Sequence, residues 1–404
     1  MISQIILAGL LATQQPAPGP RMVEVPVPGE KTVTMVAYVK SPFKFGDREA
    51  AAWQVIGRCL LLGTSEFTAN NIRTYAGQAG VLPKAVVMPD FIRVQLTVPS
   101  DGIDVGALFM ESILRRPNLG MENFQRETGI LQKEQMDAWQ RAILPEMYDY
   151  TRLRPEHVTD LFELTFRPEN FSIVISGGFK PGDGYKAFER RFDKYNPAPR
   201  RRAVQFDNPP KLASKHTQSL STFELRGDSF APGSEGSAAK SLAIFALGAG
   251  KDSSVFRILR EKERLSYRQE AFLFPTQKGW QPRILLVRRS KQGSEATAAQ
   301  MQEVLLKDID TWNQDTLDRA AAMADLILKG DNSFGVVWLD GKEPMSLTSE
   351  EAAALRGFQL MTGGNIQTAE QWADQMKLVK LDELRAAAKA MVTNAAMVAI
   401  LGRG

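Results

Sequence analysis

The chain has 404 residues, of which 44% are hydrophobic and 24% charged, and its formal net charge is +4. This length favours two or more domains with full cores, and the absence of a long run of Lys and Arg gives no support for nucleic-acid binding. The single cysteine, Cys59, excludes an internal disulfide, and the two widely separated histidines, His157 and His216, argue against a histidine-rich zinc site.

The first twelve residues form a short apolar segment, and a polar, proline-rich stretch follows at 13–20. The apolar segment is too short to span a bilayer as a helix. It resembles a clipped export signal, although the basic residues that usually precede the apolar part are missing. We therefore expect an exported, periplasmic protein, with a cytoplasmic location as the alternative. No other segment is apolar enough to predict a membrane span.

The first half of the chain alternates predicted strands and helices. Val23–Tyr38 predicts two strands separated by a Pro-Gly turn. Asp47 is expected to cap a helix whose apolar stripe ends before Gly63. A second helix, a strand and two further helices follow, and the last of these helices is predicted to be long, over Met121–Arg141. A short, buried type of strand then ends at Gly177.

Residues 196–212 are rich in proline and arginine and predict an exposed linker. The linker would separate a domain over 21–195 from a domain over 213–404, with 1–20 as a leader. Beyond it the order of elements repeats, including a helix that ends at Gly248 and a closing helix and strand before Gly402. We predict an α+β fold of two similar α/β sandwich domains, each an antiparallel-rich sheet with helices packed on it.

The segment Ser253–Tyr267 predicts a short helix that leads into a strand. Ser253 or Ser254 is expected to cap this helix. Arg260 and Tyr267 would then stand on either side of the turn between helix and strand. From spacing alone, a solvated arginine and a tyrosine packed on the sheet are the more ordinary interpretation.

Five segments, in this order and spacing, carry a resemblance to a known protein family. They are Leu60–Thr64, Glu122–Glu134, Arg167–Asn170 with Gly177, Ser253–Tyr267, and the closing helix and strand before Gly402. Together they resemble the pitrilysin/insulinase-type zinc metallopeptidases, in particular the mitochondrial processing peptidase-like group, over most of the chain from Val23 onward.

The resemblance implies where a zinc site would lie. Catalytic subunits of the family carry His-x-x-Glu-His on the first helix, with two histidines that hold zinc and a glutamate that activates water. Counted back from Gly63, the motif falls on 54–58, where Gln54 and Arg58 replace the histidines and Gly57 replaces the base. We expect no zinc site and no other cofactor in this chain.

The resemblance also assigns the family's distal carboxylate ligand to Glu134. Glu127 lies seven residues earlier on the same helical face, so both are interpreted as relic carboxylates of the lost site. The residues alone favour an ordinary charged helix surface. With the resemblance, Glu134 should face the first helix, and we predict an ion pair between Arg58 and Glu134 where the metal would lie.

Arg260 and Tyr267 match an arginine and a tyrosine with which the family binds the substrate backbone and stabilises the tetrahedral intermediate. This motif, beside the replaced zinc ligands, implies a non-catalytic subunit of a heterodimeric metallopeptidase. The partner chain would carry the zinc, and the substrate would be a peptide or an unfolded polypeptide.

A structural or peptide-binding protein of the same fold, with no role in proteolysis, is the alternative. Hydrolysis by this chain alone is not expected, because the sequence shows no nucleophile–base pair and no metal cluster.

Overall fold

The computed structural model describes residues 19–134, 150–192, 220–266, 268–289, 296–328, 336–339 and 349–400. It contains two β-sheets covered by helices and confirms the predicted α+β fold with two similar domains. Within these ranges no helix is both long and apolar enough to cross a membrane. The predicted linker and residues 1–18 of the predicted leader lie outside the described residues, so both stay predictions.

The first sheet consists of five strands. They are β1 (Arg21–Pro26), β2 (Thr32–Lys40), β3 (Lys84–Val87), β4 (Phe91–Pro99) and β5 (Phe171–Gly177). Their order is β1-β5-β2-β4-β3, with β1 parallel to β5 and the other pairs antiparallel. The two strands predicted in Val23–Tyr38 are present, but each pairs with β5 and not with the other.

The second sheet contains four strands that the structure describes. They are β6 (Leu220–Arg226), β7 (Arg268–Thr276), β8 (Gly279–Arg289) and β9 (Ala396–Ile400). Their order is β7-β8-β6-β9, and all pairs are antiparallel. Taken from the other edge, β9-β6-β8-β7 matches β5-β2-β4-β3 in order and direction. The internal repeat predicted from the sequence is therefore confirmed at the level of topology.

Helices connect and cover the strands in both halves. In the first half they are α1 (Asp47–Cys59), α2 (Ala69–Gly77), α3 (Ile103–Arg115), α4 (Met121–Lys133), α5 (Pro155–Thr165) and α6 (Asp183–Phe192). In the second half they are α7 (Ser237–Gly248), α8 (Val255–Lys262), α9 (Ala296–Asp310), α10 (Gln314–Leu328), α11 (Ser349–Thr362), α12 (Ala369–Lys377) and α13 (Leu381–Thr393).

Two helix ends differ from the predictions. Gly46, not Asp47, is the N-cap of α1, and no side chain caps it. Asp47 instead lies in the first turn, where its charge is favourable to the helix dipole. Helix α4 ends at Lys133, and Glu134 is already extended at φ −63° and ψ 118°. The prediction of a helix running through to Arg141 was wrong at this point, because periodicity alone does not fix a helix end; residues 135–141 lie outside the described residues.

The two halves pack against each other through the first sheet. Alternate residues of β2 point to opposite faces, with Val33 and Met35 in a core built from the first half and Val36 and Tyr38 in a core built mainly from the second. Helix α11 covers this second face. The Tyr38 hydroxyl donates to the Ala354 carbonyl oxygen at 2.8 Å. The first sheet is therefore buried on both faces, one of them by a helix from the other half.

Asp90 connects the halves at a second point, beside the turn between β7 and β8. Its Oδ2 accepts a hydrogen bond from the backbone N–H of Gln277 at 3.0 Å. Burial raises the pKa of Asp90 to about 6, and the hydrogen bond from Gln277 acts in the opposite direction.

Candidate functional site

Helix α1 approaches strand β3 closely at Gly57. A Cβ atom added to Gly57 would lie 2.2 Å from Cγ2 of Val87, far inside normal contact distance. Gly57 is buried, and the β-branched side chain of Val87 has few rotamers into which it could move. The position that the resemblance assigns to the general base therefore has no space for a side chain.

Arg58 and Glu134 form the ion pair that was predicted for this region. Arg58 Nη2 donates to Glu134 Oε1, and the two side chains are 30% and 40% exposed. Burial raises the pKa of the neighbouring Tyr150, and Arg58 and Glu134 are the charges that act on it. One end of the α1–α4 contact therefore carries a partly exposed ion pair beside a buried tyrosine.

The second relic carboxylate, Glu127, is buried in the same contact between α1 and α4. Its Oε1 accepts from Arg126 Nε at 3.0 Å. Burial raises the pKa of the Cys59 thiol to about 12, and the charge of Glu127 adds to the effect. Cys59 is therefore a core residue and not a nucleophile. Both carboxylates therefore interact with residues of α1, Glu134 with Arg58 and Glu127 with Cys59. Glu134 does so from one residue beyond the end of α4.

The residues at 54–58 do not fit a zinc ion. Gln54, partly exposed on α1, offers an amide, Arg58 carries a positive charge, and Gly57 has no side chain. Zinc sites in proteins are built from thiolate, imidazole and carboxylate ligands. No group of three or more histidine, cysteine, aspartate or glutamate residues in the described parts of the chain is placed to hold a metal ion.

Helix α8 is wound more widely than an α-helix. Val255–Lys262 form a π-helix, and the N–H of Glu263 donates to the carbonyl oxygen of Ile258, five residues earlier, at 2.8 Å. Such π-type turns are rare and occur frequently at functional sites. Arg264 then adopts a φ of +50°. Among the residues that the structure describes, it is the only non-glycine residue with a positive φ. The chain thus makes an unusual turn between α8 and β7.

The serine cap predicted for α8 is wrong in its details. Ser254 does stand at the N-cap position, but its side chain caps no backbone N–H of the helix. Its hydroxyl donates instead to Asp308 Oδ2 at 2.6 Å. The hydroxyl oxygen accepts from Trp312 Nε1 at 3.1 Å and not from a backbone N–H of the helix. Asp308 comes from α9, more than fifty residues away in the sequence.

Arg260 lies on the exposed side of α8. Its guanidinium carbon is 4.8 Å from the centroid of the Phe256 ring, one turn earlier. The residue is exposed, and it forms no ion pair with any carboxylate that the structure describes. Tyr267 lies outside the described residues, and its proximity to Arg260 stays a prediction.

Asp308 was not among the predicted site residues, although the sequence contains a signal for it. Position 308 lies on an apolar stripe of α9 and the turn after it. The other members of the stripe, at helical spacing from 308, are buried: Met301, Leu305 and Trp312. An aspartate within such an apolar stripe must find buried partners, which the sequence does not identify.

Solved structures share this fold, whereas no protein-family model and no curated protein sequence matches the chain. A protease from Helicobacter pylori is 16% identical with a TM-score of 0.68, over 94% of this chain and 96% of that one. A peptidase M16 inactive domain from Pseudomonas fluorescens is 14% identical with a TM-score of 0.68, over 95% and 97%. A conserved protein from Enterococcus faecalis V583 is 14% identical with a TM-score of 0.63, over 95% and 96%. At these identities the similarity concerns the fold, which extends over nearly the whole chain.

Proposed function

We propose that this chain is a zinc-less, non-catalytic subunit of a heterodimeric metallopeptidase of the pitrilysin/insulinase type. Its partner carries the His-x-x-Glu-His helix and the zinc ion. This chain contributes Arg260 and Tyr267, which bind the backbone of a peptide or unfolded polypeptide. The fold shared with a protease and with a peptidase inactive domain supports this proposal at the level of architecture.

The observation that carries the proposal is the contrast between the two candidate surfaces. At α1, Arg58 neutralises the carboxylate of Glu134, and Val87 occupies the space beside Gly57. At α8, the Arg260 guanidinium is exposed and is oriented by the Phe256 ring. The first surface lacks the residues for hydrolysis, while the second presents Arg260, one of the two residues that the resemblance assigns to substrate binding.

Arg260 has the chemistry that peptide binding requires. A guanidinium presents several N–H donors in a fixed plane and stays charged at any physiological pH. Donors that are already oriented stabilise the oxyanion that develops when a carbonyl is attacked, and removal of one such donor costs about 10²–10³ in kcat. The proposal assigns Arg260 to this contact and leaves the activation of water to the partner.

Reconstitution tests the proposal. The chain is mixed with a partner that contains His-x-x-Glu-His, and peptidase activity is measured on a quenched fluorescent peptide. The wild-type chain should raise the activity of the partner, and Arg260→Ala should remove most of the gain. Lys262→Ala is the matched control, because Lys262 is an exposed cation on the same helix. No gain with the wild type, or equal gains with Arg260→Ala, would contradict the proposal.

The alternative is a structural or peptide-binding protein with no role in proteolysis. The similarity to a domain described as inactive favours this alternative. Affinity purification separates the two functions, since a zinc peptidase among the partners supports the first and homodimers or unrelated partners support the second. The proposal also includes export to the periplasm, with the cytoplasm as the alternative. The mass of the protein purified from its native cells tests this part, because removal of an export signal would lower it.

A further inference from the structure

A buried polar network joins the start of α8 to α9. Asp308 Oδ2 accepts from the Ser254 hydroxyl at 2.6 Å and from Trp312 Nε1 at 3.2 Å. Arg257 Nη2 donates to Asp308 Oδ1 at 3.1 Å and to Oδ2 at 3.3 Å. The Asp308 side chain is 6% exposed. One carboxylate therefore holds donors from three residues, two of them belonging to the segment that leads to Arg260.

This network is stronger than an ordinary surface contact. A buried carboxylate must be compensated by hydrogen bonds, and charge-assisted bonds of this kind are about twice as strong as neutral ones. Trp312 Nε1 also lies 3.1 Å from the Ser254 hydroxyl oxygen, so the three side chains form a closed set. The start of α8 is thereby fixed to α9 in one orientation.

Helix α8 depends on such an anchor more than a regular helix does. Its π-type winding is rare, and the positive φ of Arg264 that follows is a strained conformation for a non-glycine residue, which persists only where the surrounding structure holds it. An eight-residue helix is also too short to be stable by itself. The position of the α8 backbone, from which Arg260 extends, is therefore set by tertiary contacts, and the polar network supplies those at the beginning of the helix.

We infer that Asp308 is a positioning residue that holds α8 so that Arg260 faces the substrate. The inference rests on the proposed function of Arg260 as a substrate contact. Asp308 itself touches no substrate. It acts through Ser254 and Arg257, which lie six and three residues before Arg260.

Two measurements on the full-length chain test the inference. The first is hydrogen–deuterium exchange of the amides in 255–263. Asp308→Asn should speed their exchange about tenfold, because it removes the negative charge that faces Arg257 and one of the two acceptor oxygens of the network. Asp310→Asn is the matched control, since Asp310 lies on the same helix, is 61% exposed and pairs with Lys389. Equal exchange in wild type and Asp308→Asn would overturn the inference.

The second measurement is a double-mutant cycle on the binding of fluorescein-labelled, unfolded casein, followed by anisotropy. Arg260→Ala should weaken binding about tenfold, the loss expected for one charge-assisted hydrogen bond. Asp308→Asn should weaken it about fivefold in the wild-type background and not at all when Arg260 is already alanine. If Asp308 only stabilised the fold, Asp308→Asn would weaken casein binding equally with arginine and with alanine at position 260. That result would overturn the inference.

The two measurements distinguish a failure of the role inferred for Asp308 from a failure of the function proposed for Arg260. If the wild type does not bind casein, or Arg260→Ala binds it as well as the wild type, the proposed function is contradicted. The exchange of α8 then decides alone whether Asp308 holds the helix. If Arg260→Ala weakens binding and Asp308→Asn does not, only the inference about Asp308 fails.

Discussion

Gly57→Ala tests whether α1 and β3 leave room for a side chain at the position of the general base. The added Cβ would lie 2.2 Å from Val87 Cγ2 and 3.3 Å from both Val87 Cβ and Cγ1. Overpacking of this kind costs about 1–3 kcal/mol. Replacing a glycine inside a helix by alanine gains about 1 kcal/mol. We therefore expect a net loss of stability of about 1 kcal/mol, in spite of the better helix propensity.

Gly129→Ala is the matched control. Gly129 lies inside α4, and a Cβ added there meets no atom within 4 Å. This variant should gain about 1 kcal/mol, so the two variants should differ by about 2 kcal/mol. Urea unfolding followed by circular dichroism measures the difference, and Val87→Ala added to Gly57→Ala should reduce the cost of the added methyl group. A Gly57→Ala protein as stable as the wild type, with no coupling to Val87→Ala, would refute the packing argument.

Three further predictions concern charges and backbone. Arg58→Ala should change stability by at most about 1 kcal/mol in thermal unfolding, because the pair with Glu134 is partly exposed; a loss of several kcal/mol would show that the pair is essential to the fold. Asp90 has a folded-state pKa of about 6, above its ordinary value of 3.8, so the folded chain binds the proton more tightly than the unfolded chain does. The stability that the proton on Asp90 adds to the folded state is therefore fully present below about pH 4 and is lost as the pH rises to about 6. Asp90→Asn should reduce the change in the free energy of unfolding between these pH values, and an unchanged pH profile would contradict the raised pKa. Arg264→Gly should stabilise the chain by about 1 kcal/mol, since glycine adopts a φ of +50° without strain; Glu263→Gly, at φ −84°, is the control and should give no such gain.

Local patterns predicted the elements of the fold and one contact of the candidate site. The apolar stripe of α1, the end of α7 at Gly248 and the strand before Gly177 follow from periodicity and turn chemistry. The pair of Arg58 and Glu134 followed from the positions that the family resemblance assigns to two helices. Such a prediction needs only the correct helices and the correct register, so it survives an error of several residues in the end of α4.

Other features depend on contacts that no local pattern contains. The closeness of Gly57 to Val87 arises from the packing of α1 on β3, a four-residue strand that the sequence analysis missed. The burial of β2 by α11 joins segments more than 300 residues apart. Helices α5 and α12 did leave local signals, Pro155 at the start of α5 and the Thr368–Gln371 capping box of α12, and these could have located both helices.

The zinc content of the purified chain shows directly whether the metal belongs to this chain or to a partner. The protein is expressed in zinc-supplemented medium, passed through a desalting column and measured by mass spectrometry of metals, alone and in complex with a partner that contains His-x-x-Glu-His. We expect almost no zinc on this chain alone and about one zinc ion per heterodimer, since the proposed function places the metal in the partner. Zinc close to one equivalent on the chain alone would contradict it.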